Sequence, residues 1–252
     1  MCGRYFRQSE KQKIAEDYRA GKVFEDPLAP DYNIAPTTFQ PVIRLSRDTG
    51  EREMALLRWG LVPFFATNLK EFKGMSTFNA RAESVATSAT WREPFKRRRC
   101  LIPADGFYEW MAKVVEPKPG AAVKRPVTAS RSQSKGGKQP FAITLRNGEP
   151  MAFAGLWDAW KEPKKSPQEV DRWLQSFAIV TTEANELMAP IHDRMPVILQ
   201  RRDWEEWLDR DDSRPAPMHL LRPYDAEGMK AEPCNTAVGN VRNHGPEMLV
   251  GA

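Results

Sequence analysis

The feature that most restricts the architecture of this 252-residue chain is a series of short runs rich in β-branched and aromatic residues. They fall at 42–45, 55–59, 100–102, 107–110, 141–145, 151–156, 177–181 and 197–199, mostly bounded by Gly, Pro or Asn. Runs of this length and composition read as strands. A first helix is expected at 9–20, where Ser9 and Gln12 have capping-box spacing and Ile14, Ala15 and Tyr18 form an apolar stripe. Shorter helices are expected at 82–86, 183–191, 202–208 and 217–221, and Pro27, Pro30, Pro36 and Pro41 mark loop and turn. The elements follow no βαβ rhythm. This points to an α+β fold with a mostly antiparallel, barrel-like β core and short flanking helices.

Residues 113–140 shift to Pro, Gly, Ser, Lys and Ala without periodicity, as an exposed flexible insertion does. Lying between two strands, the insertion reads as an elongated hairpin loop. A second polar loop is expected at 160–170. No repeat divides the chain, so one domain spanning 1–252 is expected, with a less defined tail from 222 onward.

Hydrophobic residues at 41% and charged residues at 28% are globular composition. Apolar runs such as 177–180 fall far short of a membrane span, and no signal-peptide pattern opens the chain. The expected location is cytoplasmic, nucleoid-associated in a bacterium, with no membrane partner. Cys2, Cys100 and Cys234 suit a reducing compartment and have no metal-ligand spacing, so neither metal nor cofactor is expected. The net charge of +5 is locally concentrated in Lys96-Arg97-Arg98-Arg99, with Arg4, Arg7, Arg44, Arg58 and Arg81 scattered among apolar segments. Basic residues interleaved with aromatics fit a nucleic-acid groove; a solvated face fits equally well.

Five segments carry candidate chemistry. Cys2 follows Met1, and trimming of the initiator would leave a thiol and a free α-amine on adjacent carbons. With reference pKa values near ~8 and ~8.5, part of each is nucleophilic at neutral pH. The amine can condense with an aldehyde and the thiol can close on the imine to a thiazolidine. Asn79 and Arg81, two apart, point to one face of an extended segment and can hold a carbonyl or phosphate, unless Arg81 pairs with Glu83. Glu109 lies between Tyr108 and Trp110 on the Phe107 face of a strand, where desolvation suits it to acid/base work unless that position faces outward. Of three histidines, His192, beside Asp193 and Arg194, is the best proton-transfer candidate, although a lone histidine is more often structural. Finally, Pro36 and the aromatics Trp59, Phe64 and Phe65 offer stacking or core surfaces.

Taken in order, Cys2-Gly3-Arg4, residues 33–37, 59–63, 79–83, 99–104, 106–110, 154–157 and 192–196 resemble the SOS response-associated peptidase (SRAP) family, which processes abasic sites in DNA. The resemblance covers roughly residues 2–220. The insertion at 113–140 is longer than is usual there, and Phe64-Phe65 occupies a stretch where Trp is common. The resemblance implies a thiazolidine crosslink between Cys2 and the aldehyde of an abasic site in single-stranded DNA. It implies Asn79 beside the linkage, Glu109 assisting sugar ring opening, and His192 near phosphate and proton transfers. Arg4, Arg81 and Arg194 would hold phosphates, Thr181 would add a polar contact, and Pro36 and Trp110 would act as wedges favouring single strands or ss/ds junctions. A monomer is expected. Two other activities remain open: a cysteine peptidase, self-processing or in trans, and a non-catalytic reader of single-stranded or modified DNA.

Overall fold

The computed structural model describes residues 2–69, 77–112, 137–162, 173–211 and 213–251. The first third contains β1 (Tyr5–Arg7), α1 (Lys11–Asp17), β2 (Lys22–Val23), β3 (Asp31–Ile34), β4 (Phe39–Leu45) and β5 (Arg52–Trp59). The middle contains β6 (Asn79–Arg81), α2 (Arg92–Arg97), β7 (Arg99–Ala104), β8 (Gly106–Ala112), β9 (Lys138–Leu145) and β10 (Met151–Lys161). β11 (Trp173–Glu183), β12 (Arg194–Pro196), α3 (Trp204–Leu208) and β13 (Met229–Pro233) follow.

β11 is the hinge of the topology. It pairs antiparallel with β10 and β12, and in parallel with β5 (Phe177 opposite Trp59) and β6 (Ile179 opposite Asn79). The β5–β11 pairing closes β4, β5, β11, β10 and β7 into a five-stranded barrel, which leaves that part of the sheet without an edge. Alternate residues, among them Leu57, Trp59, Ile102, Phe153, Trp157 and Phe177, fill the interior. The intervening ones, such as Met54, Leu101, Leu156 and Val180, pack outward against α1, α3 and their neighbours. Burial on both faces is why these strands read as unbroken apolar runs rather than alternating ones.

A second sheet, ordered β13-β9-β8-β1-β3, lies beside the barrel and fixes the start of the chain. β1 is short and is held between β8 (Tyr5 opposite Phe107) and β3 (Tyr5 opposite Ile34). The β1–β8 approach requires Gly106, because a Cβ there would lie 2.4 Å from the Phe6 ring and 2.5 Å from the Ile143 carbonyl. No helix among the described residues is long and apolar enough to cross a membrane.

The α+β, barrel-like, mostly antiparallel core agrees with the sequence expectation, and several local expectations are corrected. α1 covers only Lys11–Asp17; the Ser9 hydroxyl donates to Asp105 Oδ1 at 3.0 Å instead of capping, and Gln12 pairs with Glu16. Within the Pro-rich stretch, β3 forms because β1 offers it a ladder. Pro41 sits inside β4, opposite Leu56, before the pairing with β7 at Ile43, so its missing N–H breaks no ladder there. The helix expected at 183–191 is absent: Glu183 ends β11 and turns follow to 191, and 82–86 and 217–221 reduce to 3-10 turns at Ala82–Ser84 and Met218–Leu220. The strand expected at 197–199 is β12 at Arg194–Pro196 followed by a single bridge from Ile198 to Phe153. β8 and β9 pair from Phe107–Ile143 to Ala112–Lys138, as a hairpin does. Most of the insertion expected at 113–140 lies outside the described residues, but its last residues are strand, since β9 begins at Lys138; most of the 160–170 loop also lies outside them, although Trp160 and Lys161 belong to β10.

Candidate active site

Cys2 is completely buried, and three elements converge on it. β6 brings Asn79, whose Nδ2 donates to the Cys2 carbonyl at 2.8 Å. β8 brings Glu109, buried on the Phe107 side of the strand and close enough for its charge to act on the Cys2 thiol. The turn before β12 brings Asp193, whose charge acts on Glu109. Asn79, 6% exposed, owes its position to the parallel β6–β11 ladder. Its Oδ1 has no hydrogen-bond partner among the described residues, and neither has the buried Tyr5 hydroxyl. Native proteins leave few such groups, and a catalytic role or a bound water is among the reasons they persist.

Burial dominates the electrostatics. Desolvation raises the Glu109 carboxyl from its ordinary range to about 7, the Asp193 charge adding to it. A carboxyl at this value exchanges a proton at neutral pH, as an acid/base must. Desolvation, and then the nearby Glu109 charge, push the Cys2 thiol well above the usual thiol range. Cys2 is therefore held as a neutral thiol. It is not the activated thiolate of a cysteine–imidazolium pair. His192 Nδ1 accepts from the Arg194 backbone N–H at 3.0 Å and lies 2.9 Å from Asp193 Oδ1. The first contact needs an unprotonated Nδ1 and the second a protonated one. We favour the first, because the Asp193 side chain is 86% exposed and water screens its charge.

Arg194 and Thr181 adjoin this cluster through the β11–β12 ladder. Arg194 makes a two-pronged contact with Glu83 at 2.6 and 3.0 Å and donates to the Thr181 carbonyl at 2.7 Å. Glu83 thus pairs mainly with Arg194; the exposed Arg81 acts on it only as a weaker, neighbouring charge. Pro36 lies half-buried in the turn after β3, where Thr37 takes a positive φ of 79° and its N–H reaches the Trp59 carbonyl at 2.8 Å.

Two expected site residues lie apart from Cys2. Trp110 alternates to the opposite face of β8 from Glu109 and packs beside Phe6, Tyr108 and Cys234. Arg4 donates to Asn33 Oδ1 at 2.7 Å and to the Val238 carbonyl at 2.8 Å, tying the chain start to the carboxy-terminal segment. Tyr5, Glu83 and Asp193 join the cluster without having been singled out for it, because strand pairing across the chain, not local sequence, sets their positions. Among the described residues no group of three or more His, Cys, Asp or Glu side chains could hold a metal ion.

Known proteins share both sequence and fold with this chain. The family model described as SOS response associated peptidase (SRAP) matches residues 1–241. "Abasic site processing protein YoqW" of Bacillus subtilis (strain 168) is 36% identical over 251 residues, covering 99% of each chain. "Abasic site processing protein HMCES" of Xenopus tropicalis is 32% identical over 236 residues, covering 89% of this chain and 67% of its own. A crystal structure of a protein from Bacteroides thetaiotaomicron has the same fold, with a TM-score of 0.78 over 100% of both chains at 24% identity.

Proposed function

The chain belongs to the SOS response-associated peptidase family, and from that premise we propose that it processes abasic sites by crosslinking Cys2 to the exposed aldehyde in single-stranded DNA. One observation carries the reading: the buried Cys2 lies beside a carboxyl whose pKa is about 7. While Met1 is attached, the Cys2 nitrogen is an amide and cannot form an imine, so reaction requires its removal. The free amine then adds to the open-chain aldehyde. Glu109 protonates the departing hydroxyl, water leaves, and an imine remains. The Cys2 sulfur adds to the imine carbon while its proton passes to the nitrogen, which closes the five-membered ring. The second closure is effectively intramolecular, and a neutral thiol is sufficient for it.

Asn79 holds the Cys2 carbonyl and so orients the nucleophile, while its unpartnered Oδ1 is available to the carbinolamine. Arg81 is exposed and suited to a backbone phosphate. Arg194 reaches a phosphate only by exchanging Glu83, which is feasible because the Glu83 side chain is 55% exposed and exposed ion pairs are weak. Arg4 donates to Asn33 and to the Val238 carbonyl within the chain and acts as an anchor; Pro36 lies in the turn after β3, and Trp110, on the opposite face of β8 from Glu109, is left out of the site. His192 assists proton transfer next to the phosphate. The elevated Cys2 thiol argues against a cysteine peptidase acting in trans, which needs a thiolate. A denaturing gel tests the proposal. Heat-stable retention on abasic single-stranded DNA is expected, and a non-covalent shift alone would refute it.

A further inference from the structure

The barrel has a second polar end. Asn79, which holds the Cys2 carbonyl, is level through Ile179 with Gly155 of β10; Trp157 lies two residues beyond, on the side away from β12 and Asp193. There Arg44 lies over the Trp157 ring at 4.2 Å and is fixed by Glu53 at 2.7 Å and Gln175 at 2.7 Å. Beside it opens a pocket of about 340 Å³ lined by Arg47, Arg97, Arg98, Arg210 and Trp157, with no acidic side chain among its described lining residues. These arginines come from three separate places: the β4–β5 turn, the end of α2, and the segment after α3. The strand ladders have brought them together, so their convergence is not the effect of one charged run.

Their charges are only partly balanced. Arg98 faces the buried Asp158 at 3.2 Å. Arg210 is oriented by its hydrogen bond to the Ser46 carbonyl at 2.8 Å, which leaves its positive charge uncompensated by that contact. Arg47 is held 5.6 Å from the Trp157 ring centroid, a contact that restrains the guanidinium, and it shares the single Asp158 charge with Arg98. Like charges converging in a concave site, held by stacking and backbone contacts, make a preorganised receptor for an anion with several oxygens.

We propose that this arginine pocket is a phosphate-binding site, separate from the Cys2 centre at the other end of the barrel. The buried face of Trp157 leaves no room for a stacked base, so the group recognised is the phosphate itself. It can come from the backbone of a bound nucleic acid or from a free phosphoester.

The test is titration calorimetry on the full chain and on an Arg47→Ala/Arg210→Ala variant. The probes are inorganic pyrophosphate and an abasic-free single strand of about 20 nucleotides. Wild type should bind pyrophosphate, and the variant should bind it at least about ten-fold more weakly, as loss of two charge-assisted contacts implies. If the variant also binds the strand more weakly, with a salt slope lower by about 0.7 per lost contact, the phosphate belongs to nucleic acid. If strand binding is unchanged, the ligand is a free phosphoester. No pyrophosphate binding by wild type, or equal binding by the variant, overturns the proposal. Arg47→Gln alone, at an exposed position, repeats the measurement where the fold is least disturbed. Crosslinking of a short abasic oligonucleotide by the same variant reports separately on the Cys2 chemistry and is expected to match wild type.

Discussion

The two ends of the barrel solve opposite electrostatic problems with the same strands. At the Cys2 end, ionisable groups are withdrawn from water: Glu109 is 4% exposed and Cys2 wholly buried, so both are pushed toward their neutral forms. At the Trp157 end, charges are kept and held in place by an aromatic face, as with Arg44, or by a backbone carbonyl, as with Arg210. Desolvation gives Glu109 a proton to exchange; stacking and backbone contacts fix where a guanidinium sits. The first arrangement suits making and breaking bonds, and the second suits holding an anion.

The sharpest way to break this contrast is Cys2→Ser. A hydroxyl closes poorly on an imine, so the heat-stable crosslink should fall to background on a denaturing gel while the fold persists. Undiminished adduct would remove the thiazolidine chemistry.

Next in size is Glu109→Gln, which should slow crosslinking by about 10²–10⁴ with little change in binding to intact single strands. The wild-type rate should lose the Glu109 contribution as pH rises through about 7, because the acid form is lost; the variant should show only the rise that follows deprotonation of the α-amine. Stability should respond as well. Below about pH 4.5 the carboxyl is protonated in both folded and unfolded chains. Between there and about 7 only the folded chain keeps the proton, so stability falls as pH rises, by about 3 kcal/mol in total. Glu109→Gln lacks this penalty, so thermal melts should favour the variant increasingly from pH 5 to 8. An advantage for wild type at pH 8 would contradict a desolvated carboxyl.

Trp157→Ala examines the other end. Removing a buried indole should cost about 3–5 kcal/mol of stability by denaturant titration, yet the folded fraction should still crosslink a short abasic oligonucleotide at the wild-type rate. A slowed rate would mean that the two ends are coupled.

The smallest effect is expected from Arg81→Ala: several-fold weaker DNA binding, and a salt slope reduced by about 0.7. Glu83→Gln should shift affinity the other way by freeing Arg194. A lowered melting temperature with an unchanged slope in Arg81→Ala would make that arginine structural.

What the residues alone determined is the class of fold and the cast of reactive groups. Short β-branched runs without helical crossovers specify an antiparallel core, because side-chain periodicity is a local property. Cys2 behind Met1, and a carboxyl set among aromatics at Glu109, announce their chemistry through residue type and immediate neighbours. The arginines are where local reading stops. Arg7 caps the Ser9 and Ala29 carbonyls, Arg58 donates to Gly60, and Arg99, from the basic block at 96–99, is buried against backbone carbonyls that include those of Phe95 and Trp207. An arginine that binds carbonyls and one that faces solvent look alike in sequence; the difference lies in which distant strand arrives beside it. Likewise only the ladders from β6 through β11 to β12, and from β1 to β8, decide that Asn79, Glu109 and Asp193 meet at Cys2 while Trp110 turns away. Pairing partners far apart in the chain are chosen by the closure of the barrel, a global condition that no local window contains.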